Sequence, residues 1–151
     1  MARFRYKMQN ILDIKEKMET QAKQLFSETK KVLDAETEAL DALYARRAEI
    51  EQHAVDVLKC ELDLHEIEDS QMSRIICEQK IADQKLRVER ARAEFEKARE
   101  ELEEAVKERK THEKLKERQF DEFIREENRA ESKSIDELTT YTYGQKVTDN
   151  G

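Results

Sequence analysis

Proline is absent from the 151 residues, and the two glycines, Gly144 and Gly151, fall at the C-terminal end. Strand-rich folds need Gly, Pro or Asn-Gly punctuation to reverse the chain every few residues. A chain without it is confined to long uninterrupted segments. Those segments are filled by Glu, Lys, Ala, Arg, Leu and Gln, which lose least on entering a helix. Charged residues make up 43% and hydrophobic residues 37%, a balance that suits a long helix or a disordered polar chain. Periodicity decides between the two.

A 4-3 spacing runs through Phe4, Met8, Ile11, Lys15, Met18, Ala22, Leu25, Thr29, Val32, Glu36, Ala39, Leu43, Arg46 and Ile50. Ten of these fourteen positions are apolar, about twice what composition alone supplies, and disorder does not produce such regularity. The spacing predicts one helix over about 5–58. A second stripe follows at Val88, Ala91, Phe95, Ala98, Leu102 and Ala105. It meets polar residues at Arg109, His112 and Lys116, recovers at Phe120, Phe123 and Ile124, and extends weakly through Ile135 and Leu138. This predicts a second helix over about 71–140, with a frayed tail at 142–151.

Between the stripes the heptad phase breaks, placing a turn within about 59–70. Asp63-Leu64-His65-Glu66 has the form of a helix N-cap with its acid three residues on, and Asp69-Ser70 offers another start. A chain that folds back here lays its two stripes face to face and buries both within one molecule. The expected fold is all-α, an antiparallel two-helix coiled-coil hairpin forming a single elongated domain. Each arm is expected to be roughly 85 Å long at ~1.5 Å per residue. A mean hydropathy of -1.00 leaves too little apolar mass for a globular core, whereas a two-helix seam needs only a narrow stripe per helix.

Charge is uneven. Residues 1–31 carry eight basic and four acidic side chains, and residues 32–72 carry three and twelve. The net charge of -7 argues against nucleic acid as a partner, since no strongly basic face is evident. Arg3, Arg5, Lys7, Lys15 and Lys17 are too mixed with acids for firm membrane anchoring. No apolar stretch suits a signal peptide or a transmembrane span. A cytoplasmic location is expected.

Catalytic signatures are missing. The sequence has no Gly-rich phosphate loop, no dinucleotide fingerprint and no His-Glu-x-x-His pair, and a hairpin of two helices encloses no pocket that excludes water. His53, His65 and His112 are isolated and read as surface or seam residues. Cys60, His65 and Cys77 flank the turn but lack a fourth ligand of suitable type and spacing for zinc. A turn centred near residue 68 would set Cys60 opposite Cys77, able to bridge when oxidised; in a reducing cytosol both are expected as thiols. No enzyme, metal or cofactor is expected.

Both ends of the chain carry a more specific pattern. Phe4-Arg5-Tyr6-Lys7-Met8-Gln9-Asn10-Ile11-Leu12-Asp13-Ile14-Lys15, followed by Glu19-Thr20-Gln21-Ala22-Lys23, resembles the start of the FliJ family, coiled-coil components of the bacterial flagellar type III export apparatus. Arg109-Lys110-Thr111-His112-Glu113-Lys114-Leu115-Lys116-Glu117-Arg118, then Glu131-Ser132-Lys133-Ser134-Ile135-Asp136-Glu137-Leu138, is similar to the family's C-terminal pattern. The resemblance implies an antiparallel coiled coil shaped like the central stalk of rotary ATPases. It implies binding to the flagellar export ATPase (FliI), the export gate protein FlhA and export chaperones, at the cytoplasmic face of the cell membrane.

Carried over by that resemblance, the ATPase-binding residues are Phe4, Met8, Ile11, Leu12, Lys15, Ile135, Asp136 and Glu137, on the premise that both termini lie together. The gate-binding stretch corresponds to Glu38, Leu40, Leu43 and Tyr44, in an arrangement different from that of better known members. The chain alone is expected to be monomeric. Alternatives are the stalk of a non-flagellar type III secretion system and a generic coiled-coil scaffold.

Overall fold

The computed structural model describes residues 2–149. Two α-helices, α1 (Gln9–Lys59) and α2 (Leu64–Asp149), pack against each other as an antiparallel hairpin, with no strand among the described residues. Long polar helices are marginal in isolation and gain most of their stability from an apolar face packed on a partner.

The element ends follow local chemistry. Residues 2–6 are not helical, although the stripe predicted helix from residue 5. Tyr6 is buried, and Phe4 packs against Phe120 and Phe123 with ring centroids 5.2 and 5.5 Å away. Burying two aromatic side chains outweighs the few hydrogen bonds that another helical turn would add. The Gln9 N–H then donates to the Tyr6 carbonyl at 3.2 Å to open α1.

At the other end of α1 the connection is only 60–63, tighter than the interval the sequence allowed, and it needs no positive φ. Asp63 is what makes it tight. Its carboxylate accepts from the His65 N–H at 3.0 Å and its carbonyl from the Ile67 N–H at 3.1 Å, so the first of the two predicted starts is the one used. The helix also continues through the predicted tail to Asp149. Thr139, Thr140, Thr142 and Thr148 each donate a hydroxyl to the carbonyl four residues earlier.

Contacts gather the chain into two compact units, Glu19–Glu104 and Met1–Met18 with Ala105–Gly151. Within the first, partner numbers rise on α1 as they fall on α2. Phe26 meets Phe95 at 5.0 Å between ring centroids, Glu36 meets Gln84, and the Leu43 carbonyl lies 3.7 Å from the Cys77 thiol. The best-packed part is Ile50, Cys77 and Ile81, with Leu40, Leu43 and Tyr44 against it; Ile81 is 2% exposed. Within the second unit the same antiparallel order holds. Phe4 faces Phe120 and Phe123, and the Lys15 ammonium lies 2.8 Å from the Glu108 carboxylate. That half-exposed ion pair contributes about 0.5–1 kcal/mol.

The register of the seam corrects the sequence expectation on α1 and matches it over the middle of α2, while Phe120, Ile124, Ile135 and Leu138 of the expected second stripe are exposed. On α2 the inward positions Val88, Ala91, Phe95, Ala98, Leu102, Ala105, Arg109, His112 and Lys116 are those expected. On α1 only alternate positions hold: Lys15, Ala22, Thr29, Glu36, Leu43 and Ile50 face inward. The intervening inward residues are Leu12, Glu19, Phe26, Leu33, Leu40 and Arg47, each one place after the predicted residue. Ile11, Met18, Leu25 and Val32 are exposed instead. The period of seven survives, and the phase of half the stripe moves by one residue.

Candidate functional site

The residues assigned to partner binding separate, once placed, into those that hold the seam and those that face outward. Leu12, 3% exposed, is a seam residue. Lys15 is engaged with Glu108. Phe4 is half-buried against Phe120 and Phe123. Met8 and Ile11 present apolar surface outward.

Ile135, Asp136 and Glu137 are fully on the outside of α2. The structure does not bring them to Phe4. The level of Phe4 is Phe120, and Ile135 lies fifteen positions further along α2, roughly 22 Å at 1.5 Å per residue. From 128 to 148 every described side chain of α2 is exposed. The reason is one of length: α2 has 86 residues and α1 has 51, so α2 runs past the last residues able to pair with it. Ile135, Leu138 and Tyr143 stand on this unpaired stretch, lining one shallow groove.

In the unit formed by Glu19–Glu104, Glu38 is exposed while Leu40, Leu43 and Tyr44 are half-buried against the Ile50–Cys77–Ile81 core. Tyr44 is held by cations on both helices, with the Arg47 guanidinium 5.0 Å and the Lys85 ammonium 6.0 Å from its ring centre. Arg47 in turn lies 3.7 Å from Glu78. Such contacts fix the ring.

Polar groups inside the seam are mostly paired. Gln84 gives one amide hydrogen to the Glu36 carbonyl at 2.9 Å and also donates to the Glu36 carboxylate. Glu19 is buried with Lys23 3.1 Å away, and Arg109 pairs with Glu113 at 2.8 Å. The Tyr6 hydroxyl, the Ser70 hydroxyl and His112 Nδ1 are buried with no hydrogen-bond partner among the described residues. Tyr6 was not a candidate on sequence, because it lies outside the 4-3 stripe; its aromatic neighbour Phe4 was the available signal.

Cys60 is exposed in the connection and Cys77 is buried against Leu43 and Ile50. The turn falls earlier than residue 68, so the two cysteines are not opposite one another, and Cys77 stands about 20 Å along α2 from its start. Among the described residues no three His, Cys, Asp or Glu side chains converge as metal ligands, and no helix is long and apolar enough to cross a membrane.

A paired helical hairpin with polar seam residues, outward apolar stripes and an unpaired helical extension is the architecture of a coiled-coil interaction protein. The chain belongs to the FliJ family: the family described as "Flagellar FliJ protein" matches residues 4–148, and this makes it a coiled-coil component of type III protein export. No curated protein matches the chain. A solved structure from Chlamydia trachomatis, CT670, described as a YscO homolog, shares the fold with a TM-score of 0.73 at 24% identity, over 93% of this chain and 96% of that one.

Proposed function

We propose that the chain is an adaptor of flagellar protein export, binding the export ATPase with its terminal residues and the export gate protein with mid-hairpin residues, and contacting export chaperones. Family membership across residues 4–148 is the observation that carries this reading. The ATPase surface is assigned to two separate patches, Met8 and Ile11 beside Phe4 on one, and Ile135, Asp136 and Glu137 on the other. Leu12 and Lys15 support the first patch from within the hairpin. A helix exposed on all sides from 128 to 148 among the described residues is suited to lie in a partner's groove, where i, i+3 apolar anchors such as Ile135 and Leu138 supply the contact.

The gate surface is assigned to Glu38 and the outward parts of Leu40, Leu43 and Tyr44. The place of action is the cytoplasmic face of the membrane at the flagellar base, reached through these partners. Mixing the purified chain with the cognate export ATPase tests the proposal. A complex at micromolar concentration with stimulated ATP hydrolysis is expected, and the double variant Ile135→Gln with Leu138→Gln is expected to weaken it. No complex and no stimulation would remove the ATPase from the reading.

A second reading, the stalk of a non-flagellar type III secretion system, draws on the fold shared with the CT670 structure. Capture of the flagellar ATPase but not its injectisome counterpart would decide between them.

A further inference from the structure

Helix α1 carries a wider apolar face than α2 covers. A two-helix seam is satisfied by two positions in seven, and the positions beside them are ordinarily charged. In α1, Ile11, Met18, Leu25 and Val32 recur every seven residues, and all four are exposed. Leu25 and Val32, in the unit Glu19–Glu104, are 42% and 54% exposed. Each stands one residue before an inward side chain, Phe26 or Leu33, and so is turned about 100° from it around the helix. Ala39 continues the spacing and is exposed as well.

A groove of about 470 Å³ accompanies this stripe. Thr29 and Val32 line it from α1, and Arg87, Arg90 and Ala91 from α2. Thr29 and Ala91 are seam residues, so the groove continues the apolar interface within the hairpin. Of the two carboxylates that share its lining, Glu36 is engaged by Gln84. The other, Glu94, forms no ion pair with Arg87 or Arg90, and neither arginine has an ion-pair partner among the described residues.

We propose that an amphipathic helix of another protein lies in this groove as a third helix beside α1 and α2. Its apolar stripe covers Leu25 and Val32, and acidic residues at its edge face Arg87 and Arg90. The period of seven specifies a helix, because only a helical neighbour presents side chains in that rhythm. The two unpaired arginines specify its charge. A second copy of the chain suits the groove less well. A stable dimer buries about 1,200–2,000 Å², far more than two apolar side chains and a groove floor supply. The exposed helix at 128–148 offers Ile135 and Leu138 but then Thr142 and Gln145, so its stripe ends after one heptad. The groove stands apart from the residues assigned to the ATPase and the export gate, and its occupancy does not depend on that assignment.

The test uses the full ¹⁵N-labelled chain and a peptide of three heptads of Glu-Ile-Ala-Ala-Leu-Glu-Lys. Saturable shifts at residues 25–39 and 87–94 are expected. The matched basic peptide, three heptads of Lys-Ile-Ala-Ala-Leu-Lys-Glu, is expected to bind more weakly, against the preference that a net charge of -7 would give. Val32→Gln is expected to weaken binding of the acidic peptide about tenfold, as for the loss of one buried valine. Arg87→Glu with Arg90→Glu is expected to weaken it by a similar factor, and Val55→Gln, exposed elsewhere on α1, to leave it unchanged. Because Val32 is exposed, its variant should keep the thermal midpoint of the wild type.

The absence of saturable binding, equal affinity for wild type and Val32→Gln, or preference for the basic peptide would overturn the proposal. Concentration-dependent shifts of the same residues without peptide would overturn it too, by giving the groove to a second copy. So would sedimentation with phosphatidylglycerol vesicles that Val32→Gln abolishes, which would give the face to lipid.

Discussion

The side-chain amide of Gln84 crosses from α2 to the backbone carbonyl of Glu36 on α1 at 2.9 Å and also donates to that residue's carboxylate. A polar residue at a seam position costs stability but admits one register, because a slipped hairpin would strand the amide against apolar side chains. Gln84→Ala is expected to lower unfolding free energy by about 1–2 kcal/mol, since it leaves the Glu36 groups without their donor. Replacing both residues with Leu is expected to recover that loss or exceed it. Urea titrations of the three variants against wild type measure the difference.

The register of α1 makes a paired prediction at adjacent residues. Leu25 is exposed, while Phe26 stacks on Phe95. Leu25→Gln is expected to change stability by less than about 0.5 kcal/mol. Phe26→Ala is expected to cost about 2–3 kcal/mol, from lost apolar burial and the lost ring pair. Thermal unfolding of the two variants checks the order, and the reverse order would show that Leu25 lies in the seam.

The core at Ile50, Cys77 and Ile81 should dominate cooperativity. Ile81→Ala is expected to cost about 2–4 kcal/mol, because the helices cannot collapse into the space without shifting the neighbouring layers. The midpoint of denaturant unfolding reads this directly.

The two thiols should differ in reactivity. Cys60 is exposed in the connection and is expected to react with a disulfide reagent at the rate of a free peptide thiol. Cys77 is buried and should react only through opening of the hairpin. Equal rates would contradict its placement against Leu43 and Ile50.

The cap at the connection can be weighed separately. Asp63→Ala removes the acceptor of the His65 N–H and is expected to cost about 1 kcal/mol, measured by thermal unfolding. Asp69→Ala, aimed at the start that is not used, should be close to neutral.

The pairing and its period were legible in the sequence; the buried Cys77, Ile81 and Gln84 were not, whereas the inward residues of α2 from Val88 to Lys116 were. There the stripe of Val88, Ala91, Phe95, Ala98, Leu102 and Ala105 stands among charged neighbours, so only one phase is apolar. On α1 the neighbours compete: Ile11 with Leu12, Leu25 with Phe26, and Val32 with Leu33 are all apolar, and no count over one helix can choose between them. The choice is made by the facing helix, where Phe95 meets Phe26. Glu19 facing inward in place of Met18 runs against hydropathy and becomes acceptable through its ion pair with Lys23.

The Asp63 cap was readable from its spacing, but the end of α1 at Lys59 had no Gly or Pro to announce it. For the candidate site, the sequence marked both ends of the chain without the offset between them. That offset follows from the unequal helix lengths, which depend on where the turn falls. Tyr6 escaped notice because it lies outside the stripe and its burial is made by folding.

The most direct test of the hairpin is a distance between spin labels at Asp34→Cys and Glu89→Cys, in a background with Cys60→Ala and Cys77→Ala and with excess unlabelled chain present. Paired helix axes lie roughly 8–10 Å apart, so a single population below about 25 Å, unchanged on dilution with unlabelled chain, is predicted. A broad long-distance distribution, or a short distance that vanishes on dilution, would mean that the two stripes do not meet within one molecule.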